Sequence, residues 1–172
     1  MFKIKAKFKV LGLLIMVAGL AGGCGFYSFS GVSIGPDVKT ISIGYFQNNA
    51  SLVQPVLSQQ FTEALKDIFI RQSRLSLVNN NGDMDVQGQI TGYEVSPVAI
   101  QGNETAAMNR LTIRVRVTYV NRKEKNKDFE SEFSRYTDFE GATDFNAKEE
   151  ELMKLVYDQL SQDIFDKIMI NW

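Results

Sequence analysis

From Arg110 to Val120 the chain alternates without interruption, with Leu111, Ile113, Val115, Val117 and Tyr119 apolar and Thr112, Arg114, Arg116 and Thr118 polar. Successive side chains of an extended chain point to opposite faces, so this segment is a strand with one buried face and one wet face. Such a strand is unstable alone, and its apolar face must be covered. The cover lies near the C-terminus. Leu152, Val156, Leu160, Ile164 and Ile168 recur at steps of four, with Leu155 beside them. That spacing draws one apolar stripe along a helix. A second stripe, Leu57, Phe61, Leu65, Ile68 and Phe69, predicts a helix ending near Arg71. Asn48, Asn49 or Ser51 would cap it, with Pro55 in its first turn. Arg71 and Arg74 then lie near its negative end.

The remaining elements fit around these. Thr40–Phe46 reads as a strand with Ile41, Ile43 and Tyr45 on one face. Leu75–Val78 is a short apolar run, and Asn79-Asn80-Asn81-Gly82 is a turn signal, because Asn and Gly tolerate positive φ. Met84–Val95 reads as a strand, with Gly88 and Gly92 marking a bulge or a close approach and Pro97 weakening its end. Gln101–Asn109 is a polar loop and Asn121–Asn126 a basic turn. Lys127–Phe139 is the return strand, and its alternation slips between Phe133 and Tyr136, which predicts a bulge. Asp144 or Asn146 caps the last helix. Glu149, Glu150 and Glu151 complement its positive end, and Lys167 lies in its last turns. The expected fold is α+β: two amphipathic helices packed on one face of a mostly antiparallel four-stranded sheet, a two-layer sandwich.

Composition narrows the chemistry. The 172 residues suffice for one domain. His is absent, which removes His-based catalysis and His metal ligands. A single Cys forms no intramolecular disulfide or CxxC zinc site. The N-terminus carries Lys3, Lys5, Lys7 and Lys9, followed by the apolar run Val10–Leu20. That run is shorter than the roughly 20 residues a spanning helix needs. A basic start, a short apolar stretch and small residues read as a secretory signal. Leu20-Ala21-Gly22-Gly23-Cys24 resembles a bacterial lipobox, whose Cys is acylated and becomes the new N-terminus. Here Ala21 stands where the usual Leu is expected. The plainer reading is an ordinary signal peptide followed by a chance Cys.

The expected organisation is a lipoprotein signal peptide at 1–23, a lipidated tether at 24–38 and one domain at 39–172. An acylated Cys24 anchors the chain without spanning, the covalent lipid being its only expected cofactor. Gly25–Gly35 holds no acidic residue; this favours the periplasmic face of the outer membrane over inner-membrane retention. Without the four N-terminal lysines, 15 basic side chains face 20 acidic ones, a net charge of −5. That balance argues against nucleic acid as a partner.

Several stretches together resemble the LptE family of lipopolysaccharide-assembly lipoproteins. They are Cys24-Gly25-Phe26-Tyr27-Ser28-Phe29, Ile41-Ser42-Ile43, Val86-Gln87-Gly88-Gln89-Ile90, Phe133-Ser134-Arg135-Tyr136-Thr137-Asp138-Phe139, and Leu160–Phe165 with Asn171-Trp172. The resemblance implies a two-helix, four-stranded sandwich and no enzymatic activity. It also implies a plug within an outer-membrane β-barrel partner (LptD-like), the pair inserting lipopolysaccharide into the outer leaflet. By the same resemblance, lipid phosphate is touched by basic side chains on strands and loops. The candidates by position are Arg114 and Arg116 on the strand, and Arg122, Lys123, Lys125 and Lys127 at the turn.

The two groups differ physically. If the return strand pairs in even-to-even register, Glu130 and Glu132 share a face with Arg114 and Arg116, which occupies the strand arginines structurally. The turn sets four cations against Glu124 alone. The polar strand face and the segments Gln101–Asn109 and Asn121–Asn126 are the candidate barrel contacts. The alternative function is a free periplasmic lipid-binding lipoprotein with a closed apolar pocket. An envelope hydrolase lacks a nucleophile–base pair. Asp83 and Asp85 echo a calcium loop faintly, but the spacing and the bidentate Glu are wrong, so neither catalytic nor metal residues are assigned.

Overall fold

The apolar alternation and the two helical stripes build the expected layers, while the strands before Met84 pair in a way their sequence does not announce. A computed structural model describes residues 34–52, 54–98 and 107–170, all within the unit 32–172. In chain order the elements are β1 (Thr40–Ile43), β2 (Gln47–Asn48), α1 (Leu57–Gln72), β3 (Ser76–Val78), β4 (Met84–Val98), β5 (Met108–Asn121), a single 3₁₀ turn (Lys125–Lys127), β6 (Phe129–Glu140) and α2 (Phe145–Ile170). They form a six-stranded sheet in the order β3-β1-β4-β5-β6, with β2 also paired to β4.

The fold is α+β with two helices, but the sheet is larger than four strands and mixed. β4, β5 and β6 are antiparallel, whereas β1 pairs in parallel with both β3 and β4, and β2 pairs in parallel with β4. Parallel neighbours need a crossover of a dozen or more residues, and α1 supplies it between β1 and β3. β2 and β3 have two and three residues, too few to display an alternation.

A shift of one residue decides which aromatic is buried in this region. Ile43 pairs with Val86 and Gln47 with Gln89, so four steps on one strand match three on the other. The extra residue reverses the phase. Phe46 is fully buried and Tyr45 is 62% exposed, against the expectation for Tyr45. Gly88 makes room for Phe46, since a Cβ there would lie 2.4 Å from the Phe46 ring and 2.2 Å from the Arg116 carbonyl. The β4 register shifts between Ile90 and Gly92, as its glycines suggested. Pro97 remains inside β4, opposite Asn109. Past Ile90 no strand flanks β4 on its other side among the described residues, so the missing N–H costs little.

Leu111, Ile113, Val115 and Val117 of β5 are fully buried in one cluster with Leu152, Val156, Leu160, Ile164 and Ile168. Leu155 is exposed. The helices run in the same direction, because Gln60 meets Glu150 and Gln72 meets Gln162. Phe69 and Phe165 pack edge-to-face between them, with centroids 5.1 Å apart. The Thr62 hydroxyl accepts the Phe46 N–H and donates to the Ser58 carbonyl, which ties α1 to the β1–β2 turn.

The helix starts differ from expectation. Val56 is the N-cap of α1 and makes no side-chain cap bond. Asn48 instead accepts the Ala50 N–H within its own turn, and Pro55 precedes the helix. At α2 the Asp144 carboxylate accepts the Asn146 N–H, so Asp144 is the capping residue of the two considered. Its first turn holds no acid. Glu149–Glu151 therefore sit one turn further in, where Glu149 accepts the Tyr93 hydroxyl at 2.6 Å, Glu150 accepts Gln60 and Glu151 pairs with Lys148. Burial and the Glu149 carboxylate push the Tyr93 phenol far above its ordinary value.

β6 runs against β5 without a register shift, from Tyr119–Phe129 to Met108–Glu140, so the expected bulge is absent. Arg135 simply occupies an inward-facing position opposite Ile113. Its guanidinium reaches the margin of the helix layer and binds both Asp163 oxygens, at 2.5 and 2.7 Å.

Candidate functional site

Among the described residues no helix covers the second face of the sheet, and its polar side chains answer one another. Arg110 holds Asp138 through two hydrogen bonds, at 2.6 and 2.8 Å, and its guanidinium lies 3.6 Å above the Tyr136 ring. The Arg110 bond holds the Asp138 carboxyl below its ordinary value. Arg114 lies across Gly92 and pairs with Glu94. Arg116 stands 3.7 Å from Glu132 and 4.0 Å from Glu130. Gln89 accepts Asn49, and Asp85 accepts Ser42 and Gln87. The even-to-even register is as expected: Arg116 opposes Glu132 and Thr118 opposes Glu130. Arg114 opposes Ser134, so its acid comes from β4 instead.

The basic turn is built on Asn121. Its buried side-chain oxygen accepts the N–H groups of Lys123 and Glu124 at 3.0 and 2.9 Å, while its own N–H donates to Asp128. These bonds fix the path of the turn, on which Arg122, Lys123 and Lys125 are exposed while Lys127 is mostly buried. The turn is less free than four cations against Glu124 suggested. Asp83, from the β3–β4 connection, pairs with Lys123 at 3.3 Å, and Glu124 pairs with Lys127 at 3.0 Å. Arg122 reaches only the Asn81 amide oxygen, at 3.5 Å, and the exposed Lys125 meets no acidic side chain among the described residues.

Asp83 is the residue sequence reasoning missed. Its carboxylate accepts the N–H groups of Lys39 and Thr40 at 2.9 and 3.0 Å, and the Thr40 hydroxyl. Those bonds, that of Lys39 first, hold it well below the usual carboxylate range. The preceding Asn81, with φ of 56°, and Gly82 turn the chain so that Asp83 faces β1. Only its position after the Asn-Gly turn signalled a special role. It clamps three segments together at the end of the sheet where the chain enters, for Val38 bonds back to Gly35 and Gly35 abuts Glu124. Around the faint calcium echo, as elsewhere among the described residues, no three His, Cys, Asp or Glu gather in one place.

The six candidate cations therefore do not form one cluster. Arg122, Lys123, Lys125 and Lys127 share the turn. Arg114 and Arg116 lie on the open face, Arg116 about 20 Å from Arg122 at roughly 3.3 Å per strand residue. Cys24 and most of the 101–109 loop lie outside the described residues.

The arrangement defines a structural class: a two-helix, mixed-sheet sandwich that presents charged surface pairs on one face and one turn. The chain belongs to the LptE family, described as lipopolysaccharide-assembly, whose model matches residues 38–170. That membership gives it a role in lipopolysaccharide assembly. No curated protein matches it. Among solved structures, a putative neuraminyllactose-binding hemagglutinin homolog from Helicobacter pylori shares the fold at 9% identity and a TM-score of 0.51, over 83% of this chain and 89% of that one. A minor lipoprotein from Acinetobacter baumannii is similar at 18% identity and a TM-score of 0.49, over 76% and 92%. Rare lipoprotein B from Shewanella oneidensis is similar at 13% and 0.48, over 76% and 90%.

Proposed function

We propose that this chain is an outer-membrane lipoprotein, anchored through an acylated Cys24, that plugs a β-barrel translocon and helps insert lipopolysaccharide into the outer leaflet. It acts by binding, without catalysis. The observation that carries the reading is the open sheet face. A plug must offer polar surface to a hydrated lumen, and Arg110, Arg114 and Arg116 are each matched to an acid across that face. Family membership supports the same role. The alternative, a free lipid carrier, needs an enclosed apolar pocket. The cleft between β6 and α2, formed by described residues, is open and lined mostly by charged side chains, unlike such a pocket.

Purification of the full lipidated chain from solubilised outer membrane should recover an integral barrel protein in stoichiometric amount. Recovery of the chain alone overturns the plug. Mass spectrometry of the mature N-terminus should find Cys24 acylated, and an unmodified thiol removes the anchor. Lipid phosphate contact is proposed at Arg122 and Lys125, the turn cations that meet no carboxylate among the described residues, with Lys123 beside them. Arg is suited to two-point phosphate contact. Replacing Arg122, Lys123 and Lys125 with Ser should weaken binding to phosphorylated lipid and flatten its salt dependence. Binding that persists with the same salt dependence places the contact elsewhere.

A further inference from the structure

We propose that the free edge of β6 is a docking site for an extended strand of a partner protein that carries Lys or Arg at alternate positions. β6 is the last strand of the sheet and twelve residues long. Among the described residues nothing pairs with its far side. In an antiparallel ladder alternate residues direct their N–H and C=O groups away from the neighbour, so about half of β6 offers unpaired backbone groups. β3, at the opposite edge, has three residues and offers far less.

Two further observations specify the occupant. First, a cleft of about 460 Å³ runs beside the edge, between β6 and α2, lined by Phe133, Arg135, Asp163 and Asp166 among others. It gives room on the inner side for the alternate side chains of an added strand. Arg135 is an inward-pointing charge, a device that can blunt an edge. Here both Asp163 oxygens hold it, so it forms a wall of the cleft and leaves the backbone edge uncovered.

Second, the open-face positions of β6 carry Glu130, Glu132, Asp138 and Glu140 and no cation. β5 answers them with Arg110 and Arg116, while Arg114 is taken by Glu94. Glu140 has no cationic partner among the described residues. A second copy pairing through the same edge would set two rows of acids side by side, which is unfavourable. A strand with Lys or Arg at every second residue would repeat on the free side what β5 does on the bound side. The edge therefore excludes its own copy and selects a basic strand.

The test uses the full chain in detergent and peptides as long as β6. One peptide alternates Lys with Val, one alternates Glu with Val, and one scrambles the first. Amide hydrogen exchange along β6 is followed by NMR. At a Lys peptide concentration ten times its Kd, alternate β6 amides should exchange about tenfold more slowly, from 1 + [L]/Kd. The Glu and scrambled peptides should leave them unchanged. The double substitution Glu130→Lys with Glu132→Lys should reverse the preference, and the amides bonded to β5 report that the sheet stays intact. If that variant does not fold, Glu140→Lys, at the strand end, should weaken the Lys peptide. Absence of protection by the Lys peptide, equal protection by the Lys and Glu peptides, or equal protection by the scrambled one overturns the proposal.

Discussion

On one face of β5, Leu111, Ile113, Val115 and Val117 lie fully buried beneath the helices, whereas Thr112, Arg114, Arg116 and Thr118, one residue along in each case, stand on a face with no layer above it among the described residues. The same strand thus meets two solvents. On the covered face the removal of apolar area from water sets stability, and each side chain is fixed by close packing. On the open face the two arginines of this stretch, Arg114 and Arg116, are part-exposed, and each pairs with an acid through contacts that water can replace. The difference separates tasks: one face makes the fold, and the other, open among the described residues, can change without cost to the core.

The comparison breaks most visibly at Leu160, fully buried in the stripe of α2. Leu160→Ala should cost about 2–5 kcal/mol in denaturant unfolding. A loss below roughly 0.5 kcal/mol would mean that the stripe is not packed on the sheet.

A smaller effect, confined to acid, is expected at Asp83. The group's ordinary value is 3.8, and hydrogen bonds from Lys39 and Thr40 lower it in the fold. A depressed carboxyl contributes stability that is present above its unfolded pKa and is lost as pH falls below it. Asp83→Asn should therefore be less stable than the parent at pH 7, and the two should converge as pH falls below about 4. Unfolding curves that stay parallel from pH 7 to pH 3 would deny the clamp.

The smallest effect belongs to the open face. Arg116→Ala should change stability by less than about 1 kcal/mol, measured by the same denaturant titration. A larger loss would show that this face also supports the fold, and would blur the separation of tasks.

The covered face was legible in the sequence because both of its signals are local. The alternation of Arg110–Val120 and the stripe from Leu152 to Ile168 each repeat several times within one element. Gly88 and Gly92 were legible for a similar reason, since a glycine inside a strand marks a missing side chain that something else must fill. The rest depends on contacts between distant segments. Arg135 looked like a slip in alternation because its partner, Asp163, stands 28 residues away on a helix. Tyr45 and Phe46 exchanged roles through one extra residue between two short parallel pairings. Asp83 became the partner of the basic turn only once β4 and β5 lay side by side. The candidate site was therefore legible as a set of cations, but not as to which of them remained unmatched.

The central claim, that the open face meets a barrel interior, is tested by site-specific photo-crosslinking in native outer membranes. A crosslinker at Thr112 or Thr118, on the open face of β5, is compared with one at Lys154 on the helix layer. The account predicts capture of an integral barrel protein from Thr112 and Thr118 and markedly less from Lys154. Capture from Lys154 alone, or from none of the three while the chain remains folded and anchored, would contradict it.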